Sequence, residues 1–437
     1  MLYNTAREFF EPLQGEAKYC TEGFKEIALI YGATEESYRK TSALLNRIRH
    51  QAHGGTPSRT IQAISEHEGF MLEGHLEQKV LSIFQDHHFT PEGEPSSSVL
   101  ESLIAKQSTE EEASIVKTSP SSIVSASCSM EILSPSFPHD KNEEELNLLV
   151  NQLGIEILNE RVKTPDLEDQ IRQEMLQNPV VYEKREESVL ISIDDVGAKQ
   201  QKESRKPTSC GPPGKSKRKY VQNTVIHVEQ GDGSYILNGY GVWSVLRLLL
   251  AFLLNNNLLR HHLVFFVDGH SFYSSVLQYF YWHPQVSVIL DWYHLKKKCR
   301  ELLSMASKGS QIRNAILEEL MPLLWHGLVD QAIDYLSHIA ADQIKNDDER
   351  KHLMSYLEKN RGMIPVYAVR RELGLRNSSN RGEKANDLLV AARQKHNGMS
   401  WSKAGSVALA SVTALKKNQA YKTWFRKREL EFKLVSS

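Results

Sequence analysis

Cysteine is scarce in this chain, with four in 437 residues, at Cys20, Cys128, Cys210 and Cys299. No two form a C-x-x-C pair and no spacing matches a zinc site, so neither a disulfide framework nor a cysteine-built metal centre is indicated. A reducing, cytoplasmic setting follows as the expectation. Charge of one sign is also lacking: 53 Lys and Arg stand against 54 Asp and Glu, leaving a net charge of -1. Global charge therefore argues neither for nor against a polyanionic partner, and any nucleic-acid surface must come from local clustering.

Long apolar runs are missing too. The most apolar stretch, VLRLLLAFLLNNNLL from Val245 to Leu259, carries Arg247 and breaks at Asn255, Asn256 and Asn257. A bilayer crossing needs roughly 20 apolar residues, so this segment reads as a core helix and no membrane partner is expected. The opening MLYNTAREFFEPLQGE has acids where a secretory signal needs a basic stretch and an apolar run, so export is not expected. No G-x-x-x-x-G-K-[ST] occurs to cradle a nucleoside triphosphate, and no G-x-S-x-G to present an acyl-transfer serine.

What is present divides the chain. Residues 1–90 show three short helical patterns, FKEIALIYGAT, EESYRKTSALLNRIRH and TPSRTIQAISEHEG, a succession that suggests a helix-turn-helix. Arg39, Lys40, Arg47, Arg49 and Arg59 supply the cations for phosphate contact, although a small bundle with a solvated basic face fits the same pattern. Residues 91–145 are rich in Ser, Glu and Pro and read as a linker, with too little apolar surface to offset the entropy of ordering. A helical connector over 146–187 follows.

From Ser188 the pattern changes. SVLISID is a short β-rich run ending on acids, a Pro, Gly and cation-rich loop spans Lys202 to Lys219, and VQNTVIHVEQ with SYILNGY forms an antiparallel pair around a glycine turn. The core helix, the strand HLVFFVDG, the helix SFYSSVLQYFYW and the strand VSVILDWYH come next. Strand, strand, strand, helix, strand, helix, strand is the order of an RNase H-like α/β domain. An α/β core is thus expected over 188–294, interrupted by an all-α insertion over 295–375 and completed by helices within 376–437.

Three carboxylates among 54 carry no information unless their positions do. Asp194 and Asp268 each end a predicted strand, where acids of an α/β sheet face the ligand crevice. A strand-end Asp also serves as a cap for the next helix or turn. Glu383 opens a helix after a small-residue loop, where an ordinary first-turn Glu is equally at home. Grouped, the three supply the hard oxygens that Mg2+ prefers, and phosphodiester cleavage by two such ions, roughly 3.5 to 4 Å apart, needs ligands of this kind. Asp291 and His294, in D-W-Y-H, have neither zincin nor closed-zinc spacing and suit a supporting role or a DNA contact.

From Ser188 onward these motifs, in this order, resemble bacterial insertion-sequence transposases of the acidic-triad (DDE) class related to the Mutator-like group. ISIDDVGAKQ resembles the first catalytic motif, mapping the first Asp to Asp194, with Asp195 as its one-residue alternative. FFVDGH resembles the second and maps it to Asp268. VILDWYHLKKK is similar to the group's Asp or Cys, two residues, then His, at Asp291 and His294. The helical block resembles the family's all-α insertion, and RNSSNRGEKANDLLVAARQKHNGMSWS its terminal motif, with the catalytic Glu at Glu383. This chain has Asn380, Arg381 and Gly382 where relatives have a Gly-Ser-Gly-like turn and an apolar residue.

The resemblance implies Mg2+-dependent cutting and joining of double-stranded DNA at element ends and target, with two ions that Mn2+ replaces, by a homo-oligomer on DNA in a bacterial cytoplasm. Arg39, Arg47, Arg59, Arg376, Arg381 and Arg393 are the DNA-contact candidates, and Trp401 is either a base-stacking or a core residue. The alternatives are a nuclease of the same fold that never joins strands, and a DNA-binding descendant whose acids are relics.

Overall fold

The computed structural model describes residues 21–32, 37–50, 55–101, 144–145, 147–153, 165–201, 219–395 and 399–436. The expected linker core at 102–143 and the basic loop at 202–218 lie outside them. In chain order the elements are α1 (Glu22–Gly32), α2 (Tyr38–Ile48), α3 (Ser58–Asp86), α4 (Pro165–Leu176), β1 (Ser188–Lys199), β2 (Tyr220–Gln230), β3 (Gly233–Gly239) and α5 (Val242–Asn255). There follow β4 (His262–Val267), α6 (His270–Tyr279), β5 (Val286–Leu290), α7 (Trp292–Ala306), α8 (Ser310–Trp325), α9 (Val329–Ser337), α10 (Asp347–Asn360) and α11 (Tyr367–Glu372). The chain closes with α12 (Asn380–Asn386), α13 (Lys403–Lys417), α14 (Tyr421–Lys427) and the short β6 (Val435–Ser436).

Two compact units are built from this order: Met1–Glu94, Ile191–Leu259 and Asn380–Ser437 make the first, and Pro95–Leu190 with Arg260–Ser379 the second. The sequence of α/β elements from β1 to β5 is the one the apolar pattern predicts.

In the first unit the strands run β1-β2-β3-β6. β2 and β3 are antiparallel, with Val228 opposite Tyr235 and Gln230 opposite Gly233. The two-residue turn between them needs a left-handed backbone at Gly231, φ +56°, which glycine adopts without a Cβ penalty. Alternation places Ile226, Val228, Tyr235 and Leu237 on one face, where the Tyr235 ring stacks on Phe252 of α5 at 4.6 Å. That helix is apolar nearly all round because it is buried. Its one cation, Arg247, grips Glu77 of α3 through two bonds of 2.7 and 2.9 Å and lies over the Phe84 ring.

Val225, Val196 and Ala198 face the other side and join Ala385, Leu389, Leu409 and Trp424 in one hydrophobic cluster. Ala28, Leu45, Ile61 and Leu72, from α1 to α3, belong to that same cluster. The N-terminal helices thus share a core with the sheet and the C-terminal helices, where a separate domain over 1–90 was expected. Gly69 of α3 meets Ala408 of α13 backbone to backbone, an approach no larger residue permits. The third helix is also not short: α3 has 29 residues, because its periodic apolar positions continue through Val80, Ile83 and Phe84.

In the second unit β4 lies between β5 and β1, which begins here at Ser188. β4 and β5 are parallel, Phe265 opposite Val288, and α6 makes the crossover. All six residues of β4 are buried, as a strand covered on both faces requires. The helices α7 to α11 occupy 292–372, where an all-α insertion over 295–375 is expected.

Candidate functional site

β1 does not end at Asp194, as the apolar run suggests, but continues five residues to Lys199. Asp194 therefore sits within the strand, and Asp195 beside it points to the opposite face. The two acids have different partners. Asp195 Oδ1 accepts a hydrogen bond of 2.5 Å from the Thr224 hydroxyl on β2. Asp194 accepts one of 2.5 Å from Asn386 Nδ2 on α12 and one of 2.7 Å from the Asp195 backbone N–H.

Only Asp194 is thus turned toward the helix that carries Glu383, and this separates the two adjacent acids. α12 rests on β1 at two points. A Cβ at Gly382 would stand 2.5 Å from Cβ of Ser192, so the helix lies as close as backbone allows, and Asn386, one turn on, reaches Asp194. Glu383 is half-buried on the residue between them, the fourth of its helix, with α12 starting already at Asn380. From Asp387 to Lys395 the helix continues in a wider π-type winding, a form frequent near functional sites.

Two residues of this face were not foreseen. Glu229, buried on β2, is ion-paired with Arg381, and His227 on the same face has Nδ1 3.6 Å from Glu229 Oε2. The signal was available, since His227 and Glu229 alternate with Ile226 and Val228 in a strand that is otherwise apolar there. Arg381, a DNA-contact candidate, is occupied by this carboxylate although its side chain is still largely exposed.

In the second unit, Asp268 directly follows β4, at the strand end where the sequence places it, and is exposed. The N-cap of α6 is Gly269, so Asp268 does not fill that position. Burial, then Cys299 and the Asp268 carboxylate, push the Tyr356 phenol above its usual range.

Asp291 has a different character. It is buried and caps α7, accepting the His294 backbone N–H at 3.0 Å through Oδ1. Its other oxygen takes the Ser379 N–H at 2.5 Å and the Ser379 hydroxyl at 2.9 Å. D-W-Y-H is thus a helix start that also anchors the chain just before Asn380. His294 keeps Nδ1 3.5 Å from Asp291 Oδ1.

The DNA-contact candidates fare unevenly. Arg39, Arg47 and Arg59 are exposed, as a phosphate contact requires. Arg376 is half-buried, and its carbonyl accepts the Arg370 guanidinium at 2.8 Å. Arg393 is a correction: it is buried, its guanidinium 4.7 Å from the centre of the Tyr38 ring and 5.3 Å from that of Trp401, two rings that meet edge to face, with Nε on the Gly32 carbonyl. A guanidinium is weakly hydrated and stacks on aromatic rings, so two faces of aromatic carbon replace water for it. Trp401 is accordingly a core residue, its Nε1 donating to the Gln394 carbonyl.

Among the described residues, no group of three or more His, Cys, Asp or Glu is gathered to hold a metal ion. The donor chemistry nonetheless suits a hard cation: the Asp194 carboxylate is oriented by the Asn386 side-chain amide and the Asp195 backbone N–H. No described helix is long and apolar enough to cross a membrane.

No curated protein matches the chain. A family model described as "Uncharacterised protein family (UPF0236)" matches residues 253–431, a span that takes in Asp268, Asp291, His294 and Glu383 and leaves out Asp194.

Proposed function

We propose that the chain is a transposase of the acidic-triad class, which cuts DNA at the ends of a mobile element and joins the freed strands to a target. The observation that carries this reading is the packing of α12 on β1, which turns Asp194, and not Asp195, toward the helix bearing Glu383. The exposed Asp268 directly after β4 supports it, as does the order of α/β elements in an RNase H-like core.

The reading assigns Asp194, Asp268 and Glu383 as Mg2+ ligands. The ions would supply charge stabilisation at the phosphate and favour the attacking and leaving oxygens. Asn386 fixes the Asp194 carboxylate, and Asp291 fixes the chain leading to Glu383. The attacking group is water in the first step and a DNA 3'-hydroxyl in the second, so the protein forms no covalent bond to the strand. Arg39, Arg47 and Arg59 are suited to hold the element ends by their phosphates.

The test is duplex DNA carrying the element ends, incubated with Mg2+ and either wild type or Asp268→Asn. Wild-type nicking with a loss of at least about a hundredfold in the variant is expected. Equal nicking by the two proteins would overturn the assignment. Joined products in the same reaction separate a transposase from a nuclease of this fold.

A further inference from the structure

At the end of the first unit's sheet away from the Gly231 turn, three large aromatic side chains stand in solvent. Tyr220 begins β2, Tyr240 follows β3 and Trp243 lies in the first turn of α5; they are 51, 54 and 46 % exposed. The β2/β3 register sets their spacing. Thr224 is opposite Gly239, so Tyr220 projects about three residues, roughly 10 Å, beyond the position opposite Tyr240. By strand alternation Tyr220 lies on the α5 face with Trp243, whereas Tyr240 lies on the α13 side beside Lys403, so the rings flank this sheet end from both faces.

Cations surround it. The Lys403 ammonium lies 5.5 Å from the centre of the Tyr240 ring. Lys199 and Lys219 are exposed at the adjoining strand ends, where the Gln200 N–H donates to the Lys219 carbonyl at 2.9 Å. Acids are set back: Asp195, four residues up β1, is bound by Thr224, and Glu66 lies on the α3 side, near Gly405 and Ser402. Gly197 keeps the strand between low, since a Cβ there would meet Gln222 at 3.0 Å and Tyr220 at 3.5 Å.

We propose that this sheet end is a binding surface for unpaired nucleic acid, whose bases stack on Trp243, Tyr240 and Tyr220 while Lys199, Lys219 and Lys403 hold the phosphates. Aromatic faces accept any base, and nearby ammonium groups supply the affinity that a bare aromatic patch lacks. Duplex DNA hides its base faces, so the surface prefers a single strand. β1 links it to Asp194, about 17 Å back along the strand. The inference deepens the transposase reading by naming the form of strand held beside the cutting site, and rests on that reading for its purpose, though not for the binding itself.

The experiment uses the full chain and a fluorescently labelled single strand of about 12 nucleotides, the matching duplex, and the same single strand with abasic sites, followed by anisotropy. Trp243→Ala should weaken single-strand binding about tenfold and leave duplex binding within about twofold, with Tyr240→Ala acting in the same sense. Abasic sites should weaken binding to wild type, a check that needs no altered protein. Trp243→Phe should restore most of the loss, which separates stacking from misfolding. Equal losses on duplex and single strand, or indifference to abasic sites, would overturn the proposal. Single-strand binding with this pattern but without Mg2+-dependent nicking would refute the transposase reading and leave this surface standing.

Discussion

Each unit of the molecule buries a glutamate beside an arginine deep in its core, Glu68 in the first and Glu183 in the second, and these two arrangements differ in how the charge is shared. In the first unit Glu68 of α3 is met by Arg428 at 2.6 Å, by the Trp424 Nε1–H at 3.1 Å and by the fully buried Lys25 at 3.5 Å. In the second, Glu183 has, among the described residues, a single cationic partner, Arg370, through two bonds of 2.7 Å, and both side chains are fully buried. Burial pushes both carboxyls up, and the facing cations more than reverse this, leaving both below the usual range. A shared charge tolerates the loss of one partner, whereas an exclusive pair does not.

That contrast is sharpest for Arg370. Arg370→Met should cost about 3 to 5 kcal/mol, because it strands Glu183 in the interior. Adding Glu183→Leu should recover much of the loss in a urea melt. If the double variant is no better than the single, the exclusive pair is not what holds this region together.

Acid is the next probe. His262 is buried beside the same pair, with Nε2 2.8 Å from the Ser287 hydroxyl. Burial, only partly offset by Glu183, lowers its pKa to about 4. The folded protein keeps this ring neutral while the unfolded chain protonates it below about pH 6.5, so stability falls as pH drops from 6.5 to 4. About 3 kcal/mol is at stake by pH 4. Glu68 and Glu183 contribute stability above the ordinary carboxylate pKa and lose it only at lower pH. His262→Gln should therefore flatten the slope between pH 6.5 and 4 and leave the more acidic part unchanged.

A smaller effect comes from Asp291→Ala, which removes the α7 cap and the bonds to Ser379. About 2 kcal/mol is expected, with Asp291→Asn recovering part of it because Asn also caps helices. The smallest is Lys25→Met, about 1 kcal/mol, since Arg428 and Trp424 still serve Glu68. A Lys25 loss as large as that of Arg370 would erase the distinction between shared and exclusive charge.

Much of the fold is legible in the sequence because it follows from apolar periodicity. The β2/β3 alternation, the continuous runs of α5 and β4 and the helical block all emerge as their patterns require. What is not legible depends on partners distant in the chain. Asp194 and Asp195 look like a strand end because acids are poor strand formers, yet hydrogen bonds from Asn386 and Thr224 let β1 continue through them. Arg393 looks solvated until Tyr38 and Trp401, distant in the chain, are brought against it. The N-terminal helices look like a module of their own because their sequence cannot reveal that Ala408 lies against Gly69. Within the candidate site, the placement of Asp268 was readable from one strand, and the pairing of Arg381 with Glu229 was not.

Gly382 gives the region before Glu383 a different meaning. A glycine there is a spacer that sets how far a helix stands from a strand, and hence the distance between carboxylates borne by each. Gly382→Ala would keep every acid and every charge yet lift the helix from Ser192 by a fraction of the width of a methyl group. In a phosphoryl-transfer site a shift of about 1 Å is enough to cost about a hundredfold in rate. The residue with no side chain is therefore one through which the proposed site would be detuned while keeping every carboxylate.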